Sequence, residues 1–272
     1  MGHIFLEAYM LIDFHTHIFP DSVAPNAIQK LSLNAGGARS FYNGTKKGLI
    51  GFMDENGLDL AVVLSVATNP SQQKSVNDFA ASVNGGRLIS FGSVHPDAPD
   101  ALSEIDRISD MGLYGIKLHP DYQQFYGDDK KMTPIYEKIA KKGMTVVFHC
   151  GVDIGLYPPV HMTPAYLAKA LKPLEGATVV AAHFGGYMMW EQALDSLCGK
   201  EIYLDTAYAM GKIPPNLAAQ IIRAHGAERI LFGSDLPWSH AGDEVQLIRS
   251  LGLSKNDLEK IFYLNAKKIL KI

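Results

Sequence analysis

Eight short apolar runs, each followed by a stretch with helical spacing, constrain this chain more than any other feature. The runs are LIDFHTHIF from Leu11, LDLAVVLSVA from Leu58, LISFGSVHP from Leu88, YGIKLHP from Tyr114, MTVVFHCGVD from Met144, ATVVAAHFGG from Ala177, EIYLDTAYA from Glu201 and RILFGSDLPW from Arg229. Most are nearly continuous rather than alternating, as strands of a parallel sheet covered on both faces are. Between them lie SQQKSVNDFAASV, DALSEIDRISDMG, PIYEKIAKKG, TPAYLAKALKPLEG, MWEQALDSLCGK and PNLAAQIIRAHG, several ending at a glycine that stops a helix. Parallel neighbours need crossover connections, and units spaced roughly 24 to 33 residues apart after a longer first one suit a closed (β/α)8 TIM barrel better than an open sheet. The segment SKNDLEKIFYLNAKKIL predicts an extra C-terminal helix, capped by Ser254. From Phe19 to Gly48 the pattern is poor, and Gly36, Gly37 and Gly44 predict a mobile loop over the barrel mouth. No repeat beyond the βα rhythm, no low-complexity tract and no linker interrupts the chain, so residues 1–272 are expected to form a single α/β domain.

Composition narrows the function classes. Charged residues make up 19% of the 272 residues, and every long apolar run is interrupted before the roughly 18 to 20 residues of a membrane span. A formal charge of −3 offers no general attraction for nucleic acid or an anionic membrane, so the expected partner is a small-molecule substrate; a homo-oligomer is compatible with the sequence. Glu7 breaks the one apolar segment of the opening MGHIFLEAYM, which therefore reads as no export signal. Cys150 and Cys198 make no disulfide framework, and a cytoplasmic setting fits.

In a TIM barrel the active site is built at the C-terminal ends of the strands, so polar residues there are the informative ones. His15 and His17 end the first run, His95 the third, Lys117 and His119 the fourth, His149 the fifth, His183 the sixth and Asp235 the eighth. Two residues apart on a strand, His15 and His17 share a face, and that face is expected to be the interior. Two converging imidazoles are half of a metal site, since zinc takes nitrogen and oxygen ligands. His149 and His183 are placed to enter the same layer, although each alone also reads as a core histidine bonded to a carbonyl. Asp235, in LFGSDLPW beside Gly233, needs a partner if buried, and a metal supplies one.

The succession IDFHTH, FHCG, AHFGG and LFGSDLPW resembles the amidohydrolase superfamily, and within it the amidohydrolase 2 group of hydrolases, lactonases and non-oxidative decarboxylases. The resemblance covers nearly the whole chain in order. It implies that His15, His17, His149 and Asp235 bind a divalent metal, zinc being favoured, and that His183 contacts a metal-bound water or the substrate. Lys117 stands where binuclear members of the wider superfamily carry a carboxylated, metal-bridging lysine; its alternatives are a substrate-carboxylate anchor, preferred here with one ion, and a simple ion pair. His119 shares the strand face of Lys117 and is expected to contact substrate.

These assignments lead to a metal-dependent hydrolase acting on a small, carboxylate-bearing substrate through a metal-activated water, with Asp235 and His183 catalytic. The same residues serve a non-oxidative decarboxylase, which is the alternative; a non-catalytic metal-binding barrel is a third reading. Cys150 reads as a small buried filler, His161 as pocket lining or a helix-start residue, His225 as a helix C-terminal cap, and Trp238 as pocket wall or packing.

Overall fold

All eight runs form parallel strands: β1 (Ile12–Thr16), β2 (Leu60–Leu64), β3 (Leu88–Phe91), β4 (Gly115–Leu118), β5 (Thr145–Phe148), β6 (Thr178–Ala181), β7 (Tyr203–Asp205) and β8 (Ile230–Leu231). The computed structural model describes residues 10–272, so the opening segment considered for an export signal lies, except for Met10, outside the described residues. Strands β1 to β3 pair in order, as do β4 to β8. Short bridges join the two arcs into a (β/α)8 barrel. Lys117 N–H donates to Gly92 O at 2.8 Å between β3 and β4, and Phe14 N–H donates to Phe232 O at 2.8 Å between β1 and β8.

The helices follow the strands. They are α1 (Ala24–Asn34), α2 (Lys46–Asn56), α3 (Gln73–Val83), α4 (Ala101–Asp110), α5 (Pro120–Gln123), α6 (Thr133–Lys141), α7 (Pro164–Ala170), α8 (Trp190–Ser196), α9 (Pro215–His225), α10 (Ala241–Ser250), α11 (Lys255–Glu259) and α12 (Asn265–Leu270). The expected terminal helix is α11 and α12 joined through a π-turn at Lys260–Leu264, and Ser254 does cap it by accepting Asp257 N–H. No helix among the described residues is long and apolar enough to cross a membrane.

Two apolar layers divide the core. Ile12, Phe14, Val62, Leu64, Ile89, Phe91, Val147, Val180 and Leu231 fill the barrel, with Ala266 and Leu270 of α12 packed against them. The alternate residues, among them Ala61, Val63, Ile116, Val146, Phe148 and Leu204, face the helices. Most strands thus bury apolar residues on both faces, which is why the runs look continuous in sequence, and β4 departs from this by turning Gly115 and Lys117 inward.

The Phe19–Gly48 expectation is corrected. Instead of one mobile loop, the structure builds α1 and the start of α2 there. Ala24, Ala27, Ile28 and Leu31 recur at helical spacing, and Pro25 suits a first turn, where no N–H needs an intrahelical acceptor. Thr45 caps α2 by accepting Gly48 N–H. Gly44 lies between them at φ +75°, where an added Cβ would stand 2.8 Å from Ile28 Cγ1. The glycine therefore lets this connection close against α1.

Candidate active site

Simple alternation sends His15 and His17 the wrong way. Ile12 and Phe14 fill the barrel, so a regular β1 would turn the odd-numbered residues toward the helices. The pairing with β2 shifts register between Asp13 and Thr16, and this irregularity re-aims the strand end. Both imidazoles then face the mouth of the barrel, with ring centroids 5.1 Å apart. Gly233 permits the close approach of the segment after β8, since a Cβ there would lie 3.0 Å from His15 Cβ. Asp235 N–H donates to His15 O at 2.8 Å, fixing the aspartate beside the pair. Asp235 and His183 both hold left-handed backbone, at φ 69° and 61°, a conformation that costs most residues roughly 1 kcal/mol or more and collects at functional sites.

Neutral imidazole has one N–H and one lone pair, so each hydrogen-bond partner assigns the tautomer. His15 Nδ1 lies 2.8 Å from Asp205 Oδ2 and must donate, leaving on Nε2 a lone pair that faces Asp235 and the Lys117 amine. His17 Nδ1 donates to Leu64 O at 2.8 Å with the same result, and its backbone carbonyl accepts the Tyr42 hydroxyl. His183 Nδ1 donates to Ala207 O at 3.0 Å. The His183 Nε2 lone pair then accepts from His149 Nδ1 at 3.1 Å, so the free lone pair of His149 is on Nε2, which is buried without a partner.

These lone pairs converge on a carboxylate. Asp235 Oδ1 lies 3.0 Å from His17 Nε2 and 3.5 Å from His15 Nε2. Lone pairs facing an anion repel unless a cation stands among them. Burial drives the His15 and His149 pKa values well below the usual histidine range, so extra protons on the rings are not the natural remedy. A divalent ion is, and ligand atoms of His15, His17 and Asp235 lie within 4.8 Å of one another, close enough to share one.

The expected ligands are therefore not all in one group. His15, His17 and Asp235 come together, whereas His149 groups with His119 and Asp153 and reaches the first set through His183. Lys117 is buried at the barrel's upper layer, with Nζ 3.5 Å from His15 Nε2, and burial lowers its pKa. His119 lines the same cavity, but both its ring nitrogens are engaged, by Tyr122 N–H and by Asp153. The cavity holds about 800 Å³ and is walled largely by apolar and aromatic groups, including Phe19, Phe79, Tyr122, Tyr187, Tyr208 and Trp238. One side of it is α1, through Ala27, Lys30, Leu31 and Asn34.

Other expected residues fall outside the centre. His95 is turned into its own loop, where Nδ1 accepts Asp97 N–H at 3.2 Å. His161 pairs with the buried Asp121 at 3.0 Å rather than lining the cavity. Cys150 is core filler, as expected, and Trp238 is cavity wall. His225 ties the end of α9 to the segment before β7, Nε2 donating to Ile202 O at 2.8 Å, instead of capping its own helix. Sequence reasoning missed Asp205 and Asp153. Asp205 ends β7, the same strand-end position that singled out the histidines, and that was the available signal.

A family model described as Amidohydrolase (Amidohydro_2) matches residues 12–272. No curated protein matches the sequence. Among solved structures, the chain resembles a 5-carboxyvanillate decarboxylase from Sphingomonas paucimobilis at TM-score 0.72 and 16% identity, covering 97% of this chain and 99% of that one. It resembles a dihydroxybenzoic acid decarboxylase from Polaromonas sp. JS666, with bound manganese and the inhibitor 2-nitroresorcinol, at 0.71 and 16%, covering 97% of each. A putative 2-pyrone-4,6-dicarboxylic acid hydrolase from Pseudomonas putida follows at 0.66 and 20%, covering 97% of this chain and 98% of that one. At such identities the likeness speaks to the fold.

Proposed function

This chain belongs to the amidohydrolase family, and we accordingly propose that it is a divalent-metal-dependent enzyme that removes carbon dioxide, without oxidation, from a small carboxylic acid. The carrying observation is the coincidence of converging Nε2 lone pairs with a buried lysine amine in a mostly apolar cavity. Sequence reading put hydrolysis first. The decarboxylases named above and the cavity's aromatic walls favour decarboxylation, because such walls suit a flat unsaturated acid and exclude the water that hydrolysis needs. Hydrolysis stays as the second reading because the similar Pseudomonas protein is named a hydrolase.

His15, His17 and Asp235, joined by the unpartnered Nε2 of His149, would hold the ion, manganese or zinc. When bound it supplies Lewis-acid polarisation of a substrate oxygen. Lys117 Nζ anchors the substrate's anionic group, since a buried ammonium needs an anionic partner. The apolar walls strip water from the carboxylate. Breaking the bond to carbon dioxide leaves an electron pair on the substrate carbon, which must take up one proton. Neither Asp235, a carboxylate, nor His183 Nε2, a lone pair, carries that proton at the outset, so it comes from solvent water and is relayed to the carbon through one of these two groups. In the hydrolytic reading the traffic reverses: Asp235 accepts a proton from water and His183 assists the leaving group.

A panel of hydroxylated benzoic acids and of pyrone lactones, offered to the manganese- and zinc-loaded protein, tests the choice. Stoichiometric release of carbon dioxide from an acid is expected. Turnover of lactones alone, without carbon dioxide, would replace this reading with hydrolysis.

A further inference from the structure

Beside the His15–His17–Asp235 group stands a second cluster, His119, His149 and Asp153, whose ligand-type atoms also lie within 4.8 Å of one another. Hydrogen bonding decides what it is. Tyr122 N–H donates to His119 Nδ1 at 3.4 Å as part of the α5 cap, so the ring hydrogen sits on Nε2. That Nε2–H donates to Asp153 Oδ2 at 3.1 Å. A nitrogen carrying hydrogen has no lone pair for a cation, so His119 is a donor to a carboxylate and not a ligand. Its ring is clamped by stacking on His149, centroids 4.1 Å apart and planes 10° from parallel.

Asp153 is held from the other side by Gly155 N–H, which donates to Oδ1 at 2.7 Å. A carboxylate has about four acceptor positions, so two bonds leave it capacity for a guest. Its side chain is 15% exposed and lines the cavity. The other carboxylate among the described lining residues, Asp235, is assigned above to the ion shared with His15 and His17. Asp153 is thus a fixed anion, in a mostly apolar wall, with an acceptor to offer.

We propose that Asp153 is a specificity-determining residue that recognises a hydrogen-bond donor, a hydroxyl or amino group, on the acid whose carboxylate meets Lys117. This rests on the acid-substrate reading above. Masking the donor leaves the remaining acceptor capacity of Asp153 desolvated and unfilled, and losing one charge-assisted bond weakens binding by about 10- to 100-fold.

Matched probes test it: 2-, 3- and 4-hydroxybenzoate against their methoxy counterparts, and 3- and 4-aminobenzoate against the dimethylamino forms. They are titrated calorimetrically into the manganese-loaded protein, the two series separating a hydroxyl from an amine. At least one donor-bearing acid is expected to bind wild type about 10- to 100-fold tighter than its masked partner. Asp153→Ala should shrink that gap to about threefold or less while the masked acid and manganese bind as before. Asp153→Asn, which keeps an oxygen for His119 Nε2–H, is the second variant should alanine disturb the fold, and should narrow the same gap. A preference that survives in a folded variant overturns the assignment, as does equal binding of every pair by wild type. Loss of a manganese ion from Asp153→Ala would overturn it too, by making the cluster a cation site. If wild type binds none of the acids, the acid-substrate reading itself has failed and Asp153's role falls with it.

Discussion

Asp205→Asn probes the least expected part of the site. Asp205 Oδ1 accepts two backbone N–H groups, from His183 at 2.8 Å and Ala207 at 3.1 Å, while Oδ2 accepts His15 Nδ1–H at 2.8 Å. Asparagine has one oxygen and must choose. Keeping two buried N–H groups satisfied outweighs one imidazole bond, because each buried orphan costs about 1–3 kcal/mol. The amide NH2 therefore turns to His15, which must shift its hydrogen to Nε2 to accept it. The lone pair that faced Asp235 is lost. Groups that orient a ligating histidine are typically worth about 10- to 100-fold in metal affinity, or about 1.4–2.7 kcal/mol. Burial raises the Asp205 pKa, so a neutral replacement also relieves a desolvated charge, and the barrel should stay folded. Competition with a chromophoric chelator measures the affinity, and circular dichroism checks the fold. A folded variant that binds manganese or zinc as tightly as wild type would refute the tautomer argument.

Asp235→Asn should cut turnover by at least about 1,000-fold, because the carboxylate is assigned both ligation and proton transfer; near-native activity on an identified substrate would dismiss that role. Lys117→Ala should weaken binding of the acid by about 10- to 100-fold and leave one ion in place. Should it instead remove a second ion, restored by carbon dioxide with a short carboxylate, metal analysis would identify Lys117 as a bridging carbamate. Glu244 accepts Ser239 Oγ–H and two backbone N–H groups in a buried setting, and burial pushes its pKa from 4.5 up to about 7. The folded state then binds this proton more tightly than the unfolded chain. The resulting stability, up to about 3 kcal/mol, is fully present below pH 4.5 and is lost as pH rises through 7. Urea unfolding of Glu244→Gln across that window should show a flatter pH dependence than wild type, and parallel curves would count against the raised pKa.

Strand identity was legible in the sequence because a parallel barrel buries both faces of each strand, and chain order then placed the polar residues at one end. Parity was less legible. His15 and His17 look interior by their spacing, yet Ile12 and Phe14 occupy that face, and a register shift seen only through pairing with β2 turns the histidines to the mouth. Helix α1 was hidden by flanking glycines, although Ala24, Ala27, Ile28 and Leu31 carry the helical period. Asp205 escaped because its role is to orient a histidine 190 positions away. Asp153 escaped because it belongs to an irregular segment after β5, where no period indicates which way a side chain points.

The tautomers also show how the centre depends on the fold. His15, from β1, is set by Asp205 of β7; His17 by Leu64 O of β2; His183, after β6, by Ala207 O beyond β7. Asp235 reaches His15 and His17 only because the segment after β8 pairs with β1. No two-strand fragment contains an oriented ligand set, so the lone pairs converge only when β8 meets β1. An ion that binds the closed barrel and not the open chain must then stabilise closure, by about 2.7 kcal/mol at a free concentration 100 times its dissociation constant. The unfolding midpoint should climb with manganese or zinc concentration, and at a concentration well above both dissociation constants the stabilisation should be smaller in Asp205→Asn by about 1.4 kcal/mol for each tenfold of affinity that variant loses. Equal shifts in both proteins would mean that the ion binds elsewhere, or that His15 needs no orientation from β7.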